Sequence, residues 1–295
     1  MKRFALYLLS ITAFLIAFLY FLNILYTYTF NNGVARSKIQ YILQQKNVSY
    51  DYVFFGSSRS ECHIDCALVE ELTGKSCLNL GISGSTLQDA LVLIELMNAQ
   101  DIEIKNAFVQ VDYMYNTTGF SSNFKARLLP FSNDVKINKF LVGDDKSLAN
   151  EYLPFYRYLK NDHVIGFREV FNLLIGKKAL VDFDNGFRPI LGNSVLRNQS
   201  LPETIITTNP SIEAMELIFK EKEMNFYFFV APICSSVVHN GYINKLKTKI
   251  PNLHNYRSVY DGRQALFFDC GHLNARGAQE FTRLLTNDLI LKPIR

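Results

Sequence analysis

The chain has 295 residues, of which 48% are hydrophobic and 20% charged, so it is long and apolar enough to bury a large core. Its formal net charge is only +4, and the 31 Lys and Arg residues are scattered without forming a basic stripe. This pattern does not indicate nucleic acid as a partner, whereas it is compatible with an anionic membrane surface or an anionic polymer.

The N-terminal segment carries the strongest hydropathy signal. The stretch from Phe4 to Phe30 contains no charged residue and exceeds the roughly 20 apolar residues that span a bilayer. Lys2 and Arg3 precede it, and no charge follows until Arg36. The positive-inside rule therefore predicts a cytoplasmic N-terminus.

A cleaved signal peptide is the alternative interpretation of this segment. The apolar run is longer than a signal core of about 7–15 residues and lacks an obvious small-residue cleavage site. We therefore predict a transmembrane anchor over residues 1–35, in contact with lipid through residues 4–30. Residues 36–295 then form a periplasmic or extracellular domain.

Beyond the anchor, short apolar runs alternate with helical patterns, which is typical of an α/β protein with a parallel sheet and helices on both faces. The ligand site of such a sheet is expected at the carboxyl ends of the strands. A short helix is predicted within residues 36–49. Strands are predicted at 51–55, 77–81, 107–112, 225–231 and 265–268, and helices near 65–73, 86–99, 211–223 and 274–290.

About a hundred residues separate the third predicted strand from the helix at 211, which is longer than a usual connection. We predict an insertion or cap at about 117–210. Its aromatic, helical pattern at 147–180 is compatible with a helical pair packed on the core or with a lid or substrate groove. His163 in this segment is interpreted as a solvated or core residue rather than a catalytic one.

The first motif follows the strand at 51–55. Gly56 tolerates unusual backbone dihedrals, and Ser57 and Ser58 then lie where the N-terminus of a helix presents free N–H groups. A hydroxyl in this place is a candidate nucleophile beside donors for an oxyanion. The alternative is that the two serines only cap the helix. Arg59 is a candidate ligand for an anionic acceptor, or else a solvated or ion-paired side chain.

Two further segments carry matching chemistry. Gly84 lies in a Gly/Ser turn between the predicted strand at 77–81 and the next helix, where its N–H can approach a substrate. Near the C-terminus, Asp269 precedes His272 by three residues, a spacing that lets the carboxylate hold Nδ1 of the imidazole while Nε2 accepts a proton from a serine. The alternative is an aspartate helix cap followed by a solvated histidine.

The five cysteines are Cys62, Cys66, Cys77, Cys234 and Cys270, and outside the cytoplasm they are able to form disulfides. A bridge between Cys234 and Cys270 is one possibility, because each follows a predicted strand, and buried thiols are the other. No second pair of ligands stands near Cys62 and Cys66 at a zinc-binding spacing, so we predict no metal and no other cofactor.

In three separated blocks, covering about half of the chain, the sequence resembles the SGNH, or GDSL-like, hydrolase superfamily. The first block is "GSSR", in which Ser58 takes the place of the nucleophile. The second is Asn79, Ser83, Gly84 and Thr86, in which Gly84 takes the role of the oxyanion-hole glycine. The last is the Asp269 and His272 pair.

The resemblance implies the SGNH fold, a three-layer α/β/α sandwich around a flavodoxin-like, five-stranded parallel sheet. It also implies a triad of Ser58, His272 and Asp269, with an oxyanion hole from the N–H groups of Ser58 and Gly84. The third block of the family, G-x-N-D, is replaced by "AFVQVDYMYN" at 107–116. Asn116 is then the candidate third donor, with Asp112 nearer the strand end, although neither matches the motif.

The "GSS" and "HLN" variants are similar to membrane-anchored cell-envelope branches of the superfamily, such as the proteins of D-alanine transfer to teichoic acid and of alginate acetylation. The resemblance implies an esterase or O-acyltransferase that acts on acyl esters, chiefly acetyl esters, of a cell-envelope carbohydrate or polymer. A membrane-bound acyltransferase is the partner that it implies. The alternative is a catalytically inactive accessory or carbohydrate-binding module, which the altered third block favours.

Overall fold

The computed structural model describes residues 1–141, 150, 152–194, 200–238 and 241–292. Parts of the predicted insertion, namely residues 142–149, 151 and 195–199, lie outside the described residues. The chain divides into two compact units. The smaller unit comprises residues 1–40 and 122–179, and the larger unit comprises residues 41–121 and 180–295.

Helices and strands alternate along most of the larger unit, whereas the smaller unit is helical within its described residues. The helices are α1 (Lys2–Asn32), α2 (Lys38–Gln44), α3 (Ser58–Glu61), α4 (Cys66–Thr73), α5 (Leu87–Ala99), α6 (Ser122–Leu128), α7 (Val135–Leu141), α8 (Tyr156–Lys160), α9 (Asp162–Ile165), α10 (Phe167–Leu174), α11 (Pro210–Glu221), α12 (Tyr242–Lys249) and α13 (Ala275–Leu285). The strands are β1 (Ser49–Phe55), β2 (Cys77–Asn79), β3 (Glu103–Gln110), β4 (Asn225–Val230), β5 (His254–Asn255), β6 (Phe267–Asp269) and β7 (His272–Leu273). Short 3₁₀ turns lie at Tyr113–Asn116, Leu129–Phe131 and Gln264–Leu266, and a π-helical turn follows α13 at Thr286–Leu291.

Helix α1 is the long apolar element of the smaller unit. Its most apolar 18-residue window has a mean hydropathy of 2.3, and none of that window is buried in the protein. By length and composition α1 is therefore able to cross a membrane, although a signal sequence meets the same test. The helix ends at Gly33, whose N–H donates to the carbonyl of Thr29.

Five strands of the larger unit form an all-parallel sheet in the order β2-β1-β3-β4-β5, which confirms the predicted α/β class and the predicted number of strands. Val53 in the middle of β1 pairs with Leu78 on one side and Ala107 on the other. With a paired strand on each edge β1 is a central strand, and its second half is a continuous buried apolar run. The rings of Phe54 and Phe108 stack across the two strands with centroids 4.6 Å apart.

Helix α5 begins at a capping box that also places the loop before it. The hydroxyl of Thr86 accepts from the N–H of Asp89, and the Asp89 carboxylate accepts from the N–H of Thr86. Burial raises the pKa of Asp89 to about 6, and the hydrogen bonds from Thr86 and Ser121 offset only part of this effect. The N–H of Ser121 also donates to this carboxylate, so one buried acid joins the start of α5 to the end of the loop after β3.

The predicted identity of the fifth strand is wrong. Strand β5 at His254–Asn255 occupies that place beside β4, with Phe229 opposite His254. The residues predicted as the fifth strand instead form β6, which pairs antiparallel with β7 in a separate hairpin. The physical reason is a tight turn at Cys270 and Gly271 that folds the chain back immediately, whereas a two-residue polar strand such as β5 has no apolar periodicity to detect.

Candidate active site

The turn after β1 is constrained to glycine at position 56. Its φ is +144°, and a Cβ built there would lie 2.7 Å from Oε1 of Gln110. The same oxygen of Gln110, at the end of β3, accepts from the backbone N–H and from the hydroxyl of Ser57, both at 2.8 Å. Ser57 is fully buried and caps α3, since its hydroxyl accepts from the N–H of Arg59. The capping interpretation therefore applies to Ser57, which leaves Ser58 as the first residue of the helix.

The side chains of Ser58, His272 and Asp269 form a continuous hydrogen-bonded chain across 214 residues of sequence. Oγ of Ser58 lies 2.7 Å from Nε2 of His272. Nδ1 of His272 lies 2.9 Å from Oδ1 and 3.1 Å from Oδ2 of Asp269. A carboxylate on Nδ1 fixes the tautomer in which Nε2 is an acceptor, so the arrangement is able to remove a proton from the serine.

The Asp269 carboxylate also forms the turn that carries His272. Its Oδ1 accepts the backbone N–H groups of Gly271 and His272, each at 2.8 Å. The backbone of Asp269 pairs with that of His272 in the β6–β7 hairpin. The acid is thus held by the backbone of the loop that presents its own histidine, and rotation of the ring would break the hydrogen bonds between Nδ1 and this carboxylate.

A disulfide between Cys234 and Cys270 joins this turn to the loop after β4. This is the bridge considered from the sequence, and the N–H of Cys234 also donates to the carbonyl of Cys270 at 3.1 Å. A second disulfide, between Cys66 and Cys77, joins the start of α4 to β2 and was not predicted. Cys62 belongs to neither bridge.

His63 packs edge-to-face against the ring of His272. The sequence did not indicate it as a site residue. It is fully buried, and the centroids of the two rings are 6.2 Å apart. Its Nε2 accepts from the N–H of Leu273 at 3.0 Å, so the ring proton is on Nδ1, which has no hydrogen-bond partner within the described residues. Burial lowers the pKa of His63 well below 6.5, and the nearby His272 and Arg59 lower it further. A neutral imidazole at this position supports the His272 loop without repelling a positive charge on His272.

The loop that carries Gly84 is fastened beside the Ser58 turn. The N–H of Ile82 and the hydroxyl of Ser85 both donate to the carbonyl of Gly56. Gly84 has φ of +75° and is exposed. Within the described residues, no hydrogen bond reaches the N–H of Gly84 or that of Ser58. Both predicted oxyanion donors are therefore available to a ligand.

Asn79, the first residue of the same sequence block, has a structural role. Its side-chain amide donates to the carbonyls of Ser60 and Ile64, and its oxygen accepts from the N–H of Gly81. Because both carbonyls belong to the segment after Ser58, this buried asparagine joins the two loops of the site.

Arg59 is ion-paired, as in the second interpretation of its sequence position. Its Nη1 lies 3.0 Å from Oδ2 of the fully buried Asp112, and its guanidinium lies 4.8 Å from the centroid of the Tyr113 ring. Asp112 also accepts from the N–H of Tyr113 at 2.8 Å. Asp112, which lies within the altered third block, thus balances the charge of Arg59. Binding of a substrate by Arg59 stays a prediction.

The Asn116 side chain is bonded to a backbone loop. Its Nδ2 donates to the carbonyl of Thr204 at 2.6 Å, and its Oδ1 accepts from the N–H of Ile206 at 3.2 Å. These bonds attach the segment at 204–206 to the 3₁₀ turn after β3. A role of Asn116 as third oxyanion donor stays a prediction. That role would require the second N–H of this amide to face the substrate.

A cavity of about 410 Å³ adjoins the histidine, a volume within the range of small-molecule sites, which is roughly 300–1,000 Å³. Its wall combines hydroxyl groups of Tyr113, Thr117 and Ser200 with apolar side chains. The complete lining is Arg59, Tyr113, Asn116, Thr117, Ser200, Leu201, Pro202, Val237, Gly271 and His272. The lining thus combines hydroxyl and apolar side chains with one guanidinium, whose charge Asp112 balances, and such a wall suits an uncharged polar ligand.

A second ion pair, between Glu61 and Arg188, holds a returning segment against α3. Arg188 donates to Oε2 of Glu61 through Nε at 3.2 Å and Nη2 at 3.1 Å. Its backbone N–H also donates to the carbonyl of Glu61, and Ser83 Oγ donates to the same carboxylate. Sequence reasoning missed this pair, because the two residues are 127 positions apart.

No protein-family model and no curated protein matches this chain. Among the described residues, no group of three or more His, Cys, Asp or Glu side chains is arranged to hold a metal ion.

We predict that His63 makes the protein less stable in mild acid. Its folded-state pKa is below the unfolded value of 6.5, so the unfolded state binds more protons as the pH falls below 6.5. The free energy of unfolding should then decrease by up to about 1.4 kcal/mol per pH unit for this one group. Urea unfolding of the full chain in detergent, followed by circular dichroism between pH 7.5 and 5 (roughly the range in which histidines titrate), measures it.

The His63→Gln variant should flatten this pH dependence while keeping an acceptor for the Leu273 N–H. His163 is exposed, so His163→Gln is the matched control and should keep the wild-type profile. A His63→Gln profile as steep as that of the wild type would contradict the assignment.

Proposed function

We propose that the chain is a serine esterase or O-acyltransferase of the SGNH type that acts on acyl, chiefly acetyl, esters of a cell-envelope carbohydrate or polymer. The observation that carries the proposal is the contact of Ser58 Oγ with His272 Nε2 at 2.7 Å, with Asp269 on the opposite ring nitrogen. An N-cap serine and a solvated histidine would have no reason to meet across 214 residues.

In the proposed reaction, His272 takes the proton of Ser58 as Oγ bonds to the ester carbonyl carbon. Asp269 stabilises the imidazolium, and the N–H groups of Ser58 and Gly84 bind the oxyanion. The C–O bond to the alcohol then breaks, and the alcohol leaves with the proton from His272. Water or a sugar hydroxyl, deprotonated by the same histidine, attacks the acyl-enzyme and releases the acyl group.

The order of the sheet supports the SGNH, three-layer arrangement as part of the proposal. The sequence β2-β1-β3-β4-β5 is the doubly wound order of flavodoxin-like folds, in which ligands bind outside the carboxyl ends of the strands. Ser58 follows the end of β1, and the loop of Gly84 follows the end of β2.

The proposed location is a single-pass membrane protein with its N-terminus in the cytoplasm and its catalytic domain periplasmic or extracellular. Helix α1 is long and apolar enough to be the anchor, and Lys2 and Arg3 precede its apolar part. Two disulfides agree with an oxidising compartment. A membrane-bound acyltransferase that supplies the acyl group is the partner that the resemblance to the cell-envelope branches of the superfamily implies.

A catalytically inactive accessory or carbohydrate-binding module is the second candidate. The observation that favours it is the Asn116 amide, which is bonded to the backbone at Thr204 and Ile206 where active relatives of the SGNH type use a free asparagine donor. In this second candidate, the two remaining donors stabilise the oxyanion too weakly for cleavage, and the cavity only binds the ester.

A fluorophosphonate probe separates the two candidates. We predict that the full chain in detergent is labelled covalently, because the activated Ser58 hydroxyl attacks phosphorus and displaces fluoride. Ser58→Ala should abolish labelling, whereas Ser258→Ala, an exposed serine outside the site, should label as the wild type does. Absence of labelling in a folded wild-type chain would favour the accessory module.

Asp269→Asn tests the role of the carboxylate charge while keeping the shape of the side chain. An asparagine oxygen still accepts from the N–H groups of Gly271 and His272, but its NH₂ would face Nδ1 and place the ring proton on Nε2. We expect hydrolysis of an aryl acetate to fall by about 10⁴-fold with the fold intact. Asp261→Asn, at a surface ion pair with Arg257, is the matched control. General-base defects reduce the rate by about 10²-fold or more. A reduction of less than about threefold in Asp269→Asn would therefore refute the assigned role.

Hydrolysis and transfer are distinguished by the acceptor. We predict that Ser58-dependent loss of acetyl groups from an acetylated polysaccharide yields either free acetate or an acetylated second glycan. The measurement follows isotopically labelled acetyl groups in the presence and absence of unacetylated glycan. Identical consumption of substrate by Ser58→Ala would contradict both activities.

A further inference from the structure

A second cavity, of about 460 Å³, lies within the smaller unit and has no part in the proposed reaction. One wall is the C-terminal part of α1, where Asn23, Thr27 and Asn31 follow each other at intervals of four residues and so share one face of the helix. The other wall includes Asn133 and Arg157. The cavity is therefore polar, although it adjoins the most apolar helix of the protein.

Arg157 supplies the charge of this cavity. Only 7% of the residue is exposed, and its guanidinium donates to the hydroxyls of Thr27 at 2.7 Å and Ser132 at 2.6 Å and to the carbonyl of Leu129 at 3.2 Å. All three acceptors are neutral, and no carboxylate within the described residues pairs with it. Its buried Nε–H has no hydrogen-bond partner in the same part of the chain.

A buried cation with only neutral acceptors is costly, and an anion is the group that would compensate it. The contrast with Arg59 of the larger unit is direct, because the similarly buried guanidinium of Arg59 has Asp112 at 3.0 Å. A guanidinium has the fork of donors that suits the oxygens of a phosphate group, and the amides of Asn23 and Asn133, which also line the cavity, add neutral donors.

The position of the cavity on α1 indicates where that anion comes from. The apolar stretch that begins at Phe4 reaches the roughly 20 residues of a bilayer core near Asn23, so the polar face lies where the helix leaves the hydrocarbon. Tyr20, Tyr28 and Tyr152 line the same cavity, and all three are exposed. Aromatic side chains of this kind are enriched at the membrane–water interface.

Helix α10, which packs against the end of α1, carries an exposed apolar face. On α10, Val170 and Leu173 are buried, whereas Phe167, Phe171 and Leu174 are 69%, 50% and 61% exposed. Leu173 lies against Gly33, at the end of α1. The smaller unit therefore also presents exposed apolar side chains, as expected for a surface that meets headgroups and upper acyl chains.

We propose that this cavity binds the phosphate headgroup of an anionic membrane phospholipid, with Arg157 as its principal ligand. The proposal uses the assignment of α1 as a membrane anchor but is independent of catalysis. Bound lipid would fix the smaller unit to the outer leaflet at the point where α1 emerges.

Native mass spectrometry of the full chain in detergent, titrated with phosphatidylglycerol, tests the proposal. We expect a one-to-one complex that diacylglycerol, which lacks the phosphate, does not form and that inorganic phosphate at the same concentration does not displace. Arg157→Gln should weaken phosphatidylglycerol binding at least about tenfold, because its charge-assisted hydrogen bonds are lost.

A second variant covers the case in which Arg157→Gln does not fold. Asn133→Asp adds a negative charge to the cavity wall at an exposed position and should also weaken binding several-fold, whereas Asn138→Asp, exposed on α7 and outside the cavity, should not. Binding that is unchanged in either folded cavity variant would overturn the proposal, as would displacement by inorganic phosphate.

The same spectra separate this proposal from the proposed function. The intact mass reports whether residues 1–32 are retained, so loss of the anchor is recognised independently of lipid binding. Ser58→Ala should bind phosphatidylglycerol as the wild type does, since it removes only the candidate nucleophile. Reduced binding in Ser58→Ala would contradict the independence of the two sites.

Discussion

The Asp269 carboxylate is the group on which the geometry of the candidate site depends. One oxygen accepts two consecutive backbone N–H groups, from Gly271 and His272, and both oxygens face Nδ1 of the same histidine. The turn, the tautomer and the direction of the ring are therefore set by a single acid. The Cys234–Cys270 disulfide and the hydrogen bond from Leu273 to His63 attach this turn to its surroundings on two sides. A hydroxyl that arrives at Nε2 meets a base whose orientation is already determined.

The turn that carries Ser58 is constrained as tightly as the turn that carries His272. Gln110 accepts both polar hydrogens of Ser57, and its close approach to the turn leaves no room for a Cβ at position 56. Burial of Ser57 as the cap leaves Ser58 as the side chain that faces His272. Neighbouring identical residues thus have different roles because one points into the core and the other towards the loop of β6 and β7.

Several features of the fold and site follow from local sequence, and others do not. The buried run of β1 and the capping box of Thr86 produce the strand and helix that their residue types favour. Strand β5 has two polar residues and no pattern of its own, so only its pairing with β4 makes it a strand. The Arg59–Asp112 pair and the packing of His63 beneath His272 were also not predicted. These contacts join residues far apart in sequence, and local patterns carry no information about them.

The sequence by itself determined the alternation of strands and helices, the apolar segment at the N-terminus, and the small set of polar residues at strand ends. These properties depend on periodicity, turn chemistry and the preferences of individual residue types, which act over a few positions. Tertiary structure decided which of those polar residues meet. Ser58 follows the carboxyl end of β1 in the parallel sheet, whereas His272 belongs to the separate β6–β7 hairpin. The Cys234–Cys270 disulfide joins this hairpin to the loop after β4, and the two side chains become neighbours only in the folded chain. The same long-range packing balances Arg59 with Asp112 and leaves Arg157 with only neutral acceptors among the described residues, because compensation of a buried charge depends on what the whole fold places beside it.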